Sequence, residues 1–505
     1  MFGNILIWFV VIPIIMMIGL GLCRNRSMGA IRTVMVVGST ALLALSIVLC
    51  LLFLAEREAG NTEEMLFRGS WMWYETLKIH LAVGVDGISV LMLLLSAIIV
   101  FAGTFASWKI DPLPKNFFLW YCLLSTGVFG FFISIDMFTM FMFYEVALIP
   151  MYLLIGVWGT GRKEYSAMKL TLMLMGGSAF LMLGLFGIYW HSAPEGGELT
   201  WNILDIAKNS QYIDHGWQNF LFCLTFVGFG VLGAMFPFHT WSPDGHASAP
   251  TAVSMLHAGV LMKLGGYGCF RIAIYLLPNA ANELAWIFII LTGISIVYGA
   301  FSACVQTDLK YINAYSSVSH CGMVLFAILM LNTTAMTGAI LQMLSHGLMT
   351  ALFFALIGMI YGRTHTRDIR QMGGLMKIMP YLGVCYMIAG FASLGLPGLS
   401  GFVAEMTIFF GSFQDADTFH RIFVIAATTA IVITAVYILR VVGKLLLGPV
   451  QDEHHLQLTD ATWFERLSTV TLIVCIAGIG CFPNWINETI QHSFKPIIEA
   501  LTIAG

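Results

Sequence analysis

The sequence predicts an all-α integral membrane protein of about fourteen transmembrane helices, on three observations. Apolar residues make up 59% of the chain and charged residues 10%, against roughly half and a quarter in soluble domains. Fourteen segments approach the roughly 20 apolar residues that a bilayer crossing needs. Two of them carry Gly/Pro interruptions, "MFPFH" (235–239) and "LGLPGLSG" (394–401). Such breaks are tolerated at membrane depth only where the backbone is buried in protein or lines a wet cavity.

The spans lie near 2–22, 31–55, 85–107, 116–134, 137–159, 166–190, 218–238, 248–276, 283–304, 310–331, 335–361, 376–411, 420–446 and 467–486. The first, "MFGNILIWFVVIPIIMMIGLGL", lacks a basic leader and a small-residue cleavage site, so it reads as a spanning helix and not a cleaved signal. The longest polar gap, 56–84, is too short for a soluble domain. Span 12 is too long for one straight helix, which fits a break at Pro397, and span 7 ends at the break around Pro237. These breaks, 160 residues apart, predict two repeats of five helices, spans 4–8 (111–277) and 9–13 (278–447). An odd helix count inverts the second repeat relative to the first, as in many ion transporters. Residues 1–110 then hold helices 1–3, and 448–505 hold helix 14 and a tail.

Basic residues orient the chain. Sixteen of the 24 Lys and Arg fall to odd-numbered connections, Lys310 among them, and seven to even ones and the C-terminus, Arg271 among those. The remaining one is Lys263, inside span 8. Odd connections are thus expected on the cytoplasmic side, with both termini on the periplasmic side of a cell inner membrane, in preference to a mitochondrial one. A net charge of −3 gives no reason to expect nucleic acid. The ten cysteines are scattered without a CxxC pair and read as packing residues, not as a disulfide scaffold or an iron–sulfur or metal site.

Ionisable side chains are expensive in the bilayer interior, roughly 2.5–3.5 kcal/mol each on insertion scales. Three sit inside spans: Glu145 in "FMFYEVALIPMYLL", Lys263 in "VSMLHAGVLMKLGGYG" and Glu405 in "SGFVAEMTIFF". Histidines stand at 239, 246, 257, 320 and 346. Each has a plainer reading. Glu145 could anchor the helix near Pro150, Lys263 could snorkel, Glu405 could cap the resumed helix, and lone histidines could bond a neighbouring helix. More than a dozen residues of its span flank Lys263 on either side, which argues against snorkelling. Histidine titrates near neutrality, and burial draws Lys and Glu toward it. Glu, Lys and His strung across several spans therefore read as a proton path. No nucleotide loop, nucleophile elbow or metal-ligand spacing appears.

At these residues the chain resembles the antiporter-like chain M (chain 4) type of proton-pumping NADH:quinone oxidoreductase, respiratory complex I. The resemblance rests on "FYEVALIPMYLLIGVWG" (143–159), "HTWSPDGHASAPTAVS" (239–254), "MKLGGYG" (262–268), "DLKYINAYSSVSHCGMV" (308–324), "SHGLMTALFF" (345–354), "GRTHTRDI" (362–369) and "GLPGLSGFVAE" (395–405). It implies fourteen helices with inverted repeats and broken helices 7 and 12. It implies a path through Glu145, Lys263, His320, His346 and the exit-side Glu405. Relatives of types L and N usually carry lysine at the position of Glu405, so the glutamate favours type M. The resemblance implies no cofactor on this chain, with flavin, iron–sulfur clusters and quinone in partner subunits, and chains L and N as neighbours. A subunit of a multisubunit Na+/H+ antiporter, a hydrogenase membrane arm and an inert structural spacer are the rival readings.

One departure stands out. The family places a lysine on helix 7, seven residues before the histidine of "HTW", and here that position is Leu232. His257 and Lys263 are expected to take over its role. Six residues of ideal helix would leave His257 about a third of a turn off the Lys263 face.

Overall fold

A computed structural model describes residues 3–25, 27–194, 196–414 and 417–504. Arg26, counted above with the first connection, and residue 2 of the first span lie outside them. Helices dominate, and ten of those described are long and apolar enough to cross a membrane. In chain order the first are α1 (Trp8–Leu22), α2 (Met28–Glu58), α3 (Gly87–Ala106), α4 (Pro114–Ile133), α5 (Met137–Trp158) and α6 (Lys163–His191). The short α7 (Ile203–Asn209) follows, then α8 (His215–Leu232), α9 (Trp241–Ser248) and the interrupted α10 (251–274). The second half holds α11 (Pro278–Val305), α12 (Leu309–Ile328), α13 (Thr333–Thr364), the one-turn α14 (Leu375–Ile378), α15 (Pro380–Ser393), α16 (Ser400–Gln414), α17 (Thr418–Leu445), α18 (Trp463–Cys481) and α19 (Asn484–Ala504).

Both expected breaks are present. Span 7 splits into α8 and α9, and span 12 into α15 and α16. With α10 and α12, these are the four expected spans that fall outside the ten uninterrupted apolar helices. Each departs for a local reason. The α12 helix carries Lys310, Asn313, several serines and His320, and α10 contains two π turns, His257–Leu261 and Cys269–Ile274. A π turn takes an extra residue and marks functional sites more often than chance. It also invalidates the ideal-helix phase drawn above between His257 and Lys263, so that expectation is corrected.

Asp and Asn side chains start many of the helices by accepting an early backbone N–H. Asp86 caps α3, Asp136 α5, Asp214 α8, Asp308 α12, Asn332 α13 and Asp417 α17. Helices α3 and α13 are buried nearly throughout, whereas α1, α2, α17 and α18 keep one face outward, with Ile18, Val37, Val432 and Val474 exposed as lipid-facing residues would be.

The gap at 56–84 folds into an antiparallel hairpin, β1 (Leu66–Tyr74) and β2 (Ile79–Val85). Along "LFRGSWMWY" more and less buried residues alternate through the first seven positions, a strand pattern that mean polarity does not show. The hairpin reaches the α4–α5 connection through Ile135 N–H to Ala82 O (3.0 Å). The C-terminal tail is the amphipathic helix α19. It turns Ile486, Ile490, Phe494 and Ile497 inward and lies on the N-terminus of α3, where Gly87 N–H donates to Ser493 Oγ (3.0 Å).

Two basic residues assigned to connections lie inside. Lys310 is in the first turn of α12, 4% exposed. Arg271 is in the second π turn of α10, 2% exposed and ion-paired to Asp86. Both stand near the ends of their spans, 248–276 and 310–331, where a charge count assigns them to the neighbouring connections.

Candidate proton-relay site

The site is built where two polar stripes face each other. On α12, Asn313, Ser317, His320 and Cys321 recur at helical spacing, and on α13, Gln342, His346 and Thr350 do the same four residues apart. Every one of these side chains is buried. They close on each other through Asn313 Nδ2 to Thr350 Oγ1 and Ser317 Oγ to Thr350 Oγ1, both 3.3 Å.

Lys263 enters this seam from α10. Its Nζ lies 2.6 Å from His346 Nδ1 and also donates to the Ala258 carbonyl, inside the first π turn. With Nδ1 accepting from the ammonium, His346 carries its hydrogen on Nε2 and donates it to Ser317 Oγ (3.2 Å). Cys321 Sγ stands 3.9 Å from the same Nδ1. Close approach of α8 to α10 depends on Gly265, because a Cβ there would lie 2.6 Å from both Gly233 N and Phe229 O.

The His346 and His320 ring centres are 5.3 Å apart. Gln342 Nε2 donates to His320 Nδ1 (2.9 Å), and Glu405 Oε1 lies 3.7 Å from that nitrogen, too far for a direct hydrogen bond and right for transfer after a small movement or through water. His320 Nε2 and Gln342 Oε1 are buried without a partner. Glu405 comes from the start of α16, just past the break. The break places Gly395 (φ +66°) against the carboxylate, and a Cβ there would meet Glu405 Oε2 at 2.8 Å. Gly395→Ala is therefore expected to push the carboxylate off His320 and cut proton transport several-fold while electron transfer continues. Vesicle acidification normalised to the amount of assembled protein checks this.

Of the six residues that the sequence offered, the structure thus strings Lys263, His346, His320 and Glu405 into one buried run. His257 lies beside it, fully buried, stacked on Trp241 (5.3 Å) and tilted against His246 (4.2 Å). Glu145 is not brought in. It is half-buried on α5, and one carboxylate oxygen lacks a partner. His246 is likewise at zero exposure. Gln342, Ser317 and Lys310 were missed, although the i, i+4 spacing of Gln342 from His346 was a usable signal. Among the described residues no group of three or more His, Cys, Asp or Glu is placed to hold a metal ion.

Comparison with known proteins agrees with this architecture. The family model described as "NADH:quinone oxidoreductase/Mrp antiporter, TM" matches residues 134–434, the stretch that holds both breaks and all six residues. The chain belongs to the NADH:quinone oxidoreductase/Mrp antiporter transmembrane family. Within the family it is 34% identical to NADH-quinone oxidoreductase subunit M of Rickettsia typhi, over 96% of this chain and 97% of that one. It is 38% identical to NAD(P)H-quinone oxidoreductase chain 4-2 of a Synechocystis species, over 74% and 67%. The family fold is shared with a chain of respiratory complex I from Thermus thermophilus (TM-score 0.87, 22% identity, 99% and 100% of the two chains). It is shared also with one of the Mrp complex from Dietzia (TM-score 0.78, 18% identity, 99% of each).

Proposed function

We propose that the chain is a proton-translocating, antiporter-like subunit of an NADH:quinone oxidoreductase, coupling quinone reduction elsewhere in the complex to proton movement through Lys263, His346, His320 and Glu405. The reading rests on one observation, the buried run of those four side chains across helices α10, α13, α12 and α16. Kinship with subunit M and chain 4 proteins supports it. The redox groups (flavin, iron–sulfur clusters and quinone) belong in this reading to partner subunits, and chains of types L and N are its neighbours in the membrane arm. The functional halves are 111–277 and 278–447, joined at the Lys263–His346 contact. The host membrane is a bacterial inner membrane, with both termini on the periplasmic side.

Electrostatics is sufficient for the task. Moving a proton against ~150 mV takes about 3.4 kcal/mol. At an effective dielectric constant of about 20, unit charges 5.3 Å apart, the His320–His346 ring spacing, interact by ~3 kcal/mol. Neighbours this close can each drive the next to release its proton, whereas a single charge ~10 Å away supplies only about half as much.

Glu405→Gln tests the reading. It keeps the shape and removes the exchangeable proton. In inside-out vesicles, NADH-driven acidification is expected to fall at least tenfold with the complex assembled. Undiminished, sodium-independent acidification would exclude Glu405 from the path. A requirement for sodium would shift the reading to a Na+/H+ antiporter subunit.

A further inference from the structure

We propose that His246 and His257 form the proton input to Lys263 from the face of the odd-numbered connections, standing in for the lysine that span 7 lacks. The inference rests on the proton-translocating reading above. Three features of the pair point to it. The two rings lie 4.2 Å apart at zero exposure, held between Trp241 and Phe354 (5.3 Å each). Three of their four nitrogens, His246 Nδ1 and both of His257, have no hydrogen-bond partner, and the fourth meets only the Met262 thioether at 3.5 Å. Buried polar nitrogens are rarely left so, and the usual occupant of such a place is ordered water.

Charged groups also flank the pair at both ends, held to the backbone of the helices that carry it. Toward the odd-numbered face, the Lys310 ammonium donates to Ala249 O (2.6 Å) at the end of α9, the helix that carries His246. Ser254 Oγ bonds the His246 carbonyl itself (3.1 Å). Beyond Lys310 stand Asp308 and Arg367, paired at 3.1 Å, with Arg367 also bonding Ala247 O (2.7 Å). Toward the relay, His257 opens the π turn whose second carbonyl, Ala258 O, holds Lys263 Nζ. No such link reaches Lys263 from Glu145 among the described residues, and Leu232, at the end of α8, offers no charge in its place.

Imidazole suits the step because one ring nitrogen accepts a proton while the other releases one. A proton passes from the Lys310 side to His246, through water to His257, and on to a neutral Lys263 amine, which becomes ammonium. Lys263 then gives one proton to His346 Nδ1. His246, His257 and Lys263 end neutral, and the proton that entered now rests on His346 as imidazolium, ready to pass on along the relay.

The test uses the assembled complex in inside-out vesicles and compares His257→Leu, His246→Gln and Lys263→Ala. Each histidine variant is expected to lower NADH-driven acidification at least threefold at unchanged assembly and to raise its solvent deuterium isotope effect. Leu232→Lys added to His257→Leu is expected to restore at least half of the loss, which repair of packing alone would not do. Normal acidification by both histidine variants beside a dead Lys263→Ala overturns this inference and leaves the proton-translocating reading intact. Normal acidification by Lys263→Ala overturns that reading itself. Failure of Leu232→Lys to rescue overturns the replacement. Should His257→Leu not assemble, His257→Asn, which keeps a polar head without a transferable proton, is read in the same way.

Discussion

Replacing Lys263 by alanine is expected to abolish proton pumping while the complex still assembles. Lys263 links α10 to the polar seam, 2.6 Å from His346 and bonded to the Ala258 carbonyl within the π turn. Truncation removes the ammonium and leaves a pocket bordered by Met262, Gly266, Cys321, Val324 and Met343, which is mostly apolar. His346 then loses the donor on Nδ1, and the interaction that shifts its proton toward His320 goes with it. Removing a drive of about 3 kcal/mol corresponds to a rate loss on the order of a hundredfold. Folding should suffer little, since an unpaired buried cation is a cost to the fold and not a support. Lys263→Arg keeps charge but loses the capacity to give up a proton, because guanidinium stays charged. It should pump as poorly as alanine. Fluorescent-dye acidification in inside-out vesicles, with native-gel quantification of the complex, measures both. Pumping by Lys263→Arg at more than half the normal rate would mean that the charge alone matters and that no proton resides on this side chain.

The second large effect concerns assembly. Asp86 and Arg271 form an ion pair with both side chains nearly inaccessible, and Arg271 Nε donates to Tyr267 Oη (3.3 Å), which contacts Ser89 Oγ (2.7 Å). Asp86 also caps α3 through Ser89 N–H (2.9 Å). Breaking a buried pair on one side typically costs about 3–5 kcal/mol, because the other charge is left unpaired. Asp86→Ala should therefore sharply reduce the amount of chain found in the assembled complex, through loss of both the pair and the cap. Arg271→Met should do so by a comparable amount. The double variant Asp86→Asn/Arg271→Met removes both charges, keeps a capping side chain, and is expected to recover most of the assembled protein. A double variant no better than the single ones would show that the pair has a role beyond mutual neutralisation. Native-gel abundance after parallel expression gives the comparison.

Much of the fold was legible residue by residue. The breaks at Pro237 and Pro397 appeared where the Gly/Pro runs stood, since no side-chain packing can give proline an N–H. The apolar runs became helices for the reason that any buried backbone must bond within its own segment. Lys263, His320, His346 and Glu405 were found by their cost alone: a polar side chain in an apolar span needs a partner. Edges and exceptions were harder. Lys310 and Arg271 stand near span ends and read as connection residues although the fold buries both, and the low hydropathy of 66–85 hides the hairpin.

The sequence by itself determined that this is a polytopic helical membrane protein, where its helices break, and which ionisable residues its interior must accommodate. These follow from composition and from backbone chemistry, which are local. Tertiary structure alone decided which of those residues meet. It set Lys263 on His346, His320 near Glu405 and His246 on His257, and it left Glu145 apart. Such contacts depend on the rotation of each helix about its axis, and here that rotation is fixed by π turns, by glycine approaches such as Gly265, and by packing between residues far apart in the chain.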